Sequence, residues 1–213
     1  MPRHKLQIAL GDHPECSHDE ACGPFAARLH EQLGSGAYDW PASILLLEDR
    51  AAYLAEHRTA RKRASHSRRL GYAARRIDRS EHLDEIHAIN TSLPERQGQP
   101  MSAAYQERPT HTRLPVYRCE RHRIDEWGIF DSEGVLVAYL VLYLCGELVM
   151  ISSILGHGDH LRNDVMYLLV LDALETVPLP ATVFYNLHDS GTEGLRYFKE
   201  RLGLQPTRVE WML

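Results

Sequence analysis

The chain has 213 residues, of which 44% are hydrophobic and 25% are charged, and this balance excludes a fibrous or wholly disordered protein. Its net charge of −5 excludes a general nucleic-acid coat but allows a local basic patch. The longest apolar run covers residues 135–145, which is shorter than the roughly 20 residues of a membrane-spanning helix. The first residues lack the apolar stretch of a secretory signal. We therefore expect a soluble, cytoplasmic globular protein without a membrane segment.

The first 70 residues are expected to form an N-terminal extension. Apolar stretches at residues 6–10 and 43–47 flank a predicted helix at 24–33, and a second helical pattern runs from residue 48 to about residue 70. The second half of that pattern, residues 58–69, is strongly basic and contains no aromatic residue. It is either a solvated helix face or a binding surface for a phosphate-bearing partner, such as a cofactor phosphate, tRNA or an acyl carrier protein.

Four residues with metal-binding side chains follow the first apolar stretch. They are His13, Cys16, His18 and Cys22, and their spacing does not match that of a common zinc module. No second pair of such residues follows nearby. The sequence therefore predicts a polar loop here and no metal.

Residues 71–213 alternate between strand and helix patterns. Strands are predicted at residues 72–77, 126–130, 135–144, 148–155, 182–187 and 208–212. Helices are predicted from an N-cap at Ser80 to about residue 90, and at residues 101–106, 160–175 and 192–202, with Gly203 as the last C′ residue. Residues 131–134 and 145–147 are predicted as tight hairpin turns, and residues 91–100 as a polar loop. This order predicts a mixed sheet with helices packed on its faces.

The order of elements and two local motifs resemble the GNAT acyltransferase superfamily. Residues 130–139, FDSEGVLVAY, are similar to the family's second-to-third strand hairpin, and residues 197–204, YFKERLGL, are similar to its last helix. The resemblance begins at Tyr72 and implies an α/β fold with a GNAT-like mixed, mostly antiparallel sheet flanked by helices. We accordingly expect an α-rich extension with a basic helix, residues 1–70, followed by a GNAT-like acyltransferase domain, residues 71–213.

The resemblance also implies a donor site. In this family the fourth strand ends in a splayed bulge, and the following loop binds the pyrophosphate of coenzyme A at the start of the next helix. Backbone amides and the positive end of the helix dipole stabilise the anion there. The implied donor-binding residues are Ile154, Leu155, Gly156, Gly158, Arg162 and Asn163, with Asn186 beside the pantetheine arm.

This loop departs from the family consensus. His160 stands where Gln or Arg is expected, Asn163 and Val165 replace small residues, and Asp159 and Asp164 would flank the anion. Two explanations stay open. The donor is an acyl-CoA, such as acetyl-CoA, held by a variant loop, or it is a different molecule.

Three residues are candidates for catalysis. Many family members carry a tyrosine four residues before the glycine of the last helix, as the general acid for the leaving thiolate, but this chain has Lys199 there. A Phe-Lys pair at this place is similar to the Fem-type aminoacyl-tRNA-dependent transferases, whose lysine is taken to meet phosphate; alternatively, Lys199 is an exposed helix residue. Tyr197 is either the acid or a packing residue. His157, at the end of the bulged strand, is a candidate general base.

The loop at residues 91–100 is expected to lie over the acceptor, as the equivalent loop does in the family. Arg96 and Gln97 precede a glycine and form a compact set of hydrogen-bond donors for a carboxylate or phosphate, and Tyr105 is close in sequence. The alternative is an ordinary solvated loop.

The sequence therefore predicts an acyltransferase that moves an acyl group from an acyl-CoA to an amine of a small molecule or peptide. Two alternatives stay open. One is a transferase that uses aminoacyl-tRNA or an acyl carrier protein, which the basic residues 58–69 would suit. The other is a non-catalytic GNAT-like binding module, which the altered loop would suit.

Overall fold

The computed structural model of the chain describes residues 6–10, 22–33, 41–110 and 119–212. Its α-helices are α1 (Cys22–Leu33), α2 (Arg50–Glu56), α3 (Arg58–Arg69), α4 (Leu83–Thr91), α5 (Ala103–Gln106), α6 (Val165–Leu174) and α7 (Glu193–Arg201). Its strands are β1 (Leu6–Ala9), β2 (Ala42–Leu47), β3 (Ala73–Arg76), β4 (Glu95–Arg96), β5 (Gln99–Pro100), β6 (His122–Phe130), β7 (Leu136–Cys145), β8 (Leu148–Gly156), β9 (Ala181–Leu187), β10 (Gln205–Thr207) and β11 (Val209–Met212). Short 3-10 helices cover Arg79–Glu81 and Gly158–Asn163.

Seven strands form the main sheet, in the order β10-β2-β9-β8-β7-β6-β3. All neighbours are antiparallel except β8 and β9, which run parallel. The strands β6, β7 and β8 follow one another through tight turns, in which Gly134 and Gly146 have positive φ angles. This confirms the predicted mixed, mostly antiparallel α/β fold.

The long apolar strand β7 has helices on both of its faces. Leu140, Leu142 and Leu144 belong to the hydrophobic core that includes α6 and the buried face of α3. Tyr139 packs in the core beneath α4, and Tyr143 packs against the core that includes α1. Because side chains alternate along a strand, α6 lies on one face of the sheet, and α4 and α1 lie on the other.

The first 70 residues contribute strands to sheets that they share with the rest of the chain. In the main sheet β2 lies between β10 and β9, and β1 pairs in parallel with β11. Ile44 and Leu47 of β2 are buried. The division at residue 70 into an extension and a domain stays a prediction, but the two parts share one sheet.

Three local predictions differ from the structure. Ser80 is not an N-cap, since it lies inside a 3-10 helix whose N-cap is Asp78, and α4 begins only at Leu83. The helix predicted from residue 160 begins at Val165, because the preceding residues form the second 3-10 helix. The loop predicted at residues 91–100 contains the β4–β5 hairpin. The predicted C′ residue is confirmed, because Gly203 has a φ of 85° directly after the α7 C-cap.

None of the helices in the described parts of the chain combines the length and the hydrophobicity that crossing a bilayer requires.

Candidate active site

The parallel strands β8 and β9 separate halfway along β8. They pair only where Leu148–Met150 meets Thr182–Phe184, whereas β8 stays paired with β7 as far as Gly156. Val141 pairs with Ser153 and Leu142 pairs with Ile151, so Ser152 is the extra residue of a β-bulge. Beyond Met150 the backbone edge of β8 that faces β9 is therefore open.

A cavity of about 580 Å³ lies at this separation. Its wall includes the end of β8, the side of β9 at Tyr185, the start of α6 and the start of α7. The apolar residues of the lining are Leu93, Pro100, Met101, Ile154, Leu155, Leu161, Met166, Leu195 and Phe198. The polar lining comes mainly from the segment between α4 and α5, with Glu95, Arg96, Gln97, Gln99, Ser102 and Tyr105. The site is thus mainly apolar, with a polar rim on one side.

The β4–β5 hairpin contributes to the wall of this cavity. Its two turn residues, Gln97 and Gly98, have φ angles of 55° and 74°, as a two-residue type I′ turn requires. The turn lies against the loop between β9 and α7: a Cβ atom built on Gly191 would be 3.3 Å from Gln97 Oε1, and one on Gly98 would be 3.5 Å from Thr192 Cγ2. The turn of the hairpin therefore lies beside the segment between β9 and α7.

Arg96 holds this hairpin to the end of β8. Its Nη1 donates to Gly156 O at 2.9 Å, and its Nη2 donates to Ile89 O at 2.7 Å and to Ser92 Oγ at 2.9 Å. Its Nε is buried and has no partner among the described residues. Desolvation lowers the pKa of Arg96, but an arginine stays protonated in proteins. The cavity wall therefore includes a positive charge whose hydrogen-bond partners are two carbonyls and a hydroxyl.

The loop predicted to bind pyrophosphate uses much of its hydrogen-bonding capacity within the protein. The amide of His157 donates to Val137 O at 2.7 Å, and that of Gly158 donates to Ser92 Oγ at 3.1 Å. The Asp164 amide donates to the carbonyl of Leu161, within the same loop, at 3.3 Å. These amides are therefore not available to an anion without rearrangement, contrary to the expectation of bare amides along this loop.

A carboxylate stands at the start of α6. Asp164 precedes the helix with a left-handed φ of 61°. Its two carboxylate oxygens contact Arg63 Nη1 at 2.8 Å and His66 Nδ1 at 3.1 Å, both on α3. The basic helix α3 therefore packs against the start of α6, where the GNAT resemblance predicts a pyrophosphate site, and the charge of Arg63 is paired with this carboxylate.

The structure brings six of the predicted site residues to one cavity. They are Ile154, Leu155 and Gly156 of the predicted donor site and Arg96, Gln97 and Tyr105 of the predicted acceptor site. The other seven predicted residues are not part of its lining: His157, Gly158, Arg162, Asn163, Asn186, Tyr197 and Lys199. The roles of all thirteen stay predictions.

Several of those seven residues have local roles. His157 is the N-cap of the 3-10 helix, with its Nδ1 accepting from the Asp159 amide at 3.4 Å. Asn163 Nδ2 donates to Tyr72 Oη at 2.8 Å. Asn186 is exposed, has a φ of 54°, and accepts from the Leu187 amide at 2.7 Å. These contacts shape the loops around the cavity.

Lys199 is completely buried, although it is a charged residue on an amphipathic helix. Its Nζ donates to the carbonyl of Leu187, the last residue of β9, at 2.5 Å and lies 3.3 Å from Ser190 Oγ in the loop that follows. The same Nζ lies 5.3 Å from the ring centroid of Tyr185. Desolvation lowers the pKa of Lys199 to about 8, with a smaller raising effect from the charge of Asp189.

Tyr185 is a cavity residue that the sequence analysis did not identify. It follows Phe184, the last residue of β9 that pairs with β8, and it is buried beside the cavity. Burial raises the pKa of its phenol to about 12. It was missed because an aromatic residue in an apolar strand pattern is indistinguishable from core until the separation of the two strands is known.

Comparisons with solved structures identify proteins of similar fold. FemX matches with a TM-score of 0.56 and 13% identity, over 88% of this chain and 68% of FemX. The C-terminal domain of a protein described as a lysylphosphatidylglycerol synthetase, from Agrobacterium fabrum, matches with a TM-score of 0.54 and 14% identity, over 88% of this chain and 64% of that one. A tandem GNAT protein of the clavulanic acid pathway has a TM-score of 0.47 and 17% identity, over 94% of this chain and 60% of that one.

The matches to FemX and the Agrobacterium domain, with the strand order, confirm the GNAT-like fold and the similarity to Fem-type proteins. The chain spans less than two thirds of the Agrobacterium protein. No protein-family model matches the sequence, and no curated protein does.

Proposed function

We propose that the protein is a transferase that moves an acyl or aminoacyl group from an activated carrier to an amine. The observation that carries this proposal is the open edge of β8 beside an apolar cavity. The amide and carbonyl groups along such an open edge can form hydrogen bonds with an extended donor molecule, in the way that they would with an additional β-strand. The apolar lining then holds the acyl chain or amino-acid side chain.

The residues around the cavity suit this chemistry. The neutral amine attacks the carbonyl carbon, its nitrogen releases a proton to water, and the tetrahedral intermediate carries a negative oxygen. The bond to the leaving oxygen or sulfur then breaks, and that atom takes a proton. In this proposal the guanidinium of Arg96 stabilises the negative charge electrostatically. Tyr185 is protonated at neutral pH because its pKa is about 12, and it donates to the leaving group. Lys199 is a positioning residue for Tyr185 and the loop beside it.

We propose aminoacyl-tRNA as the preferred donor. The carboxylate of Asp164 and the internally bonded loop amides disfavour a free pyrophosphate at the start of α6, because they leave it few donors and add a negative charge. On α3, by contrast, Arg58, Arg61 and Lys62 are exposed. Such a surface suits a polyanionic carrier that contacts the protein at several phosphates. The structural similarity to FemX agrees with the resemblance of the pair Phe198 and Lys199 to the Fem-type aminoacyl-tRNA-dependent transferases.

Acyl-CoA, in particular acetyl-CoA, stays the alternative donor. The specific observation in its favour is the position of Ile154, Leu155 and Gly156 on the cavity wall, where the GNAT resemblance places the pantetheine arm. An acyl carrier protein would present the same arm. A small-molecule or peptide amine remains the proposed acceptor.

The test compares donor binding in two variants of one cavity residue. Gly194 lines the cavity, and a Cβ atom added there would meet only Thr192 Oγ1 within 4 Å, at 3.7 Å. Gly194→Phe should therefore fill the cavity, whereas Gly194→Ala should leave it open. Filter binding should show that the wild type prefers aminoacylated over uncharged tRNA by at least about fivefold. Gly194→Phe should abolish this preference, and Gly194→Ala should keep it.

The remaining outcomes separate the alternatives. If the wild type binds acetyl-CoA but not tRNA, and Gly194→Phe loses the acetyl-CoA binding, the donor is an acyl-CoA and not aminoacyl-tRNA. A charge-removing pair, Arg58→Gln and Arg61→Gln, should weaken tRNA binding and reduce its salt dependence, while Arg28→Gln on α1 should not. Failure of the wild type to bind any of these donors would contradict the transferase and favour a non-catalytic binding module.

A further inference from the structure

A second group of reactive side chains lies away from the cavity, where α1 begins and β6 begins. Cys22 is the first residue of α1, Cys119 forms an isolated bridge with His122, and His122 is the first residue of β6. All three are buried. One ligand atom from each lies within 4.8 Å of the other two. Together they present two sulfur atoms and one imidazole nitrogen to a common point.

The distance between Cys119 and His122 suits tetrahedral coordination of zinc. With Zn–S bonds of about 2.3 Å and Zn–N bonds of about 2.0–2.1 Å, the sulfur and nitrogen of two ligands lie about 3.5 Å apart. The Sγ atom of Cys119 is 3.5 Å from Nδ1 of His122. The sulfur and imidazole set also selects zinc over magnesium and calcium, which prefer oxygen ligands.

The second ring nitrogen of His122 determines which nitrogen is available to a metal. Nε2 lies 3.1 Å from the backbone carbonyl of Leu10. Because a carbonyl only accepts hydrogen bonds, Nε2 carries the proton, and the lone pair of the neutral ring is on Nδ1, which faces Cys119. A ligating histidine commonly donates its other N–H to a carbonyl in this way, which orients the ring.

Charge also favours a metal here. Two thiolates and one Zn²⁺ ion together are neutral, so the group stays buried without an isolated charge. Cys145 provides the contrast, since it is buried nearby, and its Sγ donates to Leu10 O at 3.3 Å. It is not part of the cluster. Cys145 therefore behaves as a core cysteine, whereas Cys22 and Cys119 converge on a histidine.

We propose that Cys22, Cys119 and His122 supply three ligands to a buried Zn²⁺ ion. The ion would join α1 to the start of β6, next to Leu10 at the end of β1, and so connect the N-terminal residues to the main sheet. Within the described residues these three side chains are the protein ligands. The spacing within residues 13–22 by itself indicates no metal site, because two of the three ligands lie about a hundred positions later in the chain. Of the polar loop predicted there, Cys22 instead begins α1, and His13, Cys16 and His18 lie outside the described residues.

The first test is metal analysis of the untagged full-length protein. Inductively coupled plasma mass spectrometry should find about one zinc per chain after dialysis against metal-free buffer. Cys119→Ser and His122→Ala should each reduce the zinc content at least fivefold, and Cys145→Ser should leave it unchanged. Absence of zinc from the wild type after growth and refolding with zinc would overturn the proposal, as would full zinc retention in Cys119→Ser.

Cobalt binding to the wild type provides a second readout, and this part of the test needs no variant. Co²⁺ added to the zinc-depleted wild type should give thiolate-to-metal charge-transfer bands, and zinc should displace them. The same bands in Cys145→Ser and their loss in Cys119→Ser would support the assignment. A disulfide between Cys22 and Cys119 in protein purified under reducing conditions, detected by mass spectrometry, would contradict it.

Discussion

Lys199 is a residue whose environment changes its chemistry. Its ammonium group is surrounded by the carbonyls of Leu187 and His188 and by Ser190 Oγ, and its side chain has no solvent exposure. Burial disfavours the charged form, which lowers the pKa from 10.5 to about 8. The folded protein thus releases this proton at a lower pH than the unfolded chain does.

We predict a pH-dependent stability difference between the wild type and Lys199→Met. Between about pH 8 and pH 10.5 the unfolded chain binds more protons at this residue than the folded protein. The contribution of Lys199 to the free energy of unfolding therefore rises through this window, by roughly 1 to 3 kcal/mol, and is least favourable below pH 8. Urea denaturation at pH 8, 9 and 10 should show the wild type gaining stability relative to the variant.

Lys62→Met is the matched control, because Lys62 is an exposed lysine on α3. Its stability difference from the wild type should not change with pH in this window. A constant difference between the wild type and Lys199→Met would contradict the pKa assigned to the buried lysine.

At the scale of one element, the β4–β5 hairpin depends on its turn and on its anchoring arginine. Gly98 has a φ of 74°, a conformation that glycine adopts without strain and a β-branched residue avoids. Arg96 ties the hairpin to Ile89 at the end of α4 and to Gly156 at the end of β8. The hairpin thus combines a turn that requires a positive φ with a base that Arg96 anchors by hydrogen bonds, in the wall of the cavity.

Gly98→Val should destabilise the hairpin by about 1–2 kcal/mol, because the left-handed conformation is unfavourable for valine. We expect faster amide hydrogen exchange at residues 94–101 and weaker donor binding, measured by exchange mass spectrometry and filter binding. Asparagine tolerates this conformation, so Gly98→Asn should retain most of the protection. Equal protection in Gly98→Val and the wild type would show that the turn does not depend on glycine.

For the whole molecule, the position of β2 connects the first 70 residues to the fold. This strand pairs with β9 on one side and β10 on the other. Its removal would separate β10 from the sheet and expose the buried side chains around Ile44. The α3 helix also packs on α6 and pairs with Asp164 and Asp172.

We predict that a chain beginning at residue 71 does not fold on its own. It should lack a cooperative thermal transition by circular dichroism and should have poorly dispersed amide signals by NMR, because the sheet and the core that includes α6 are incomplete. A folded, cooperative fragment would show instead that residues 71–213 are an autonomous domain.

Two substitutions in the full-length chain control for the length of the deletion. Ile44→Asp places a charge at a side chain that is 3% exposed, and it should unfold the protein. Leu46→Asp changes a side chain of the same strand that is 56% exposed, and it should be tolerated. Similar losses of stability in both variants would contradict the placement of β2.

Local sequence patterns determined much of this fold. The long β-branched and aromatic runs of β7 and β8, the glycines of their turns and Gly203 after α7 were recognisable because strand propensity and positive φ angles depend on the residue itself and its neighbours. Their order carried the resemblance to the GNAT fold. The donor-binding role that this resemblance implies for Ile154, Leu155 and Gly156 stays a prediction, and the structure places all three on the cavity wall.

Tertiary structure alone decided which distant residues meet. The insertion of β2 beside β9, the burial of Lys199 under the β9–α7 loop and the meeting of Cys22 with His122 all depend on strand pairing and core packing between remote segments. Local periodicity shows which side of an element is buried, but it carries no information on the element against which that side packs. The cavity likewise exists only because β8 and β9 separate after a short parallel pairing.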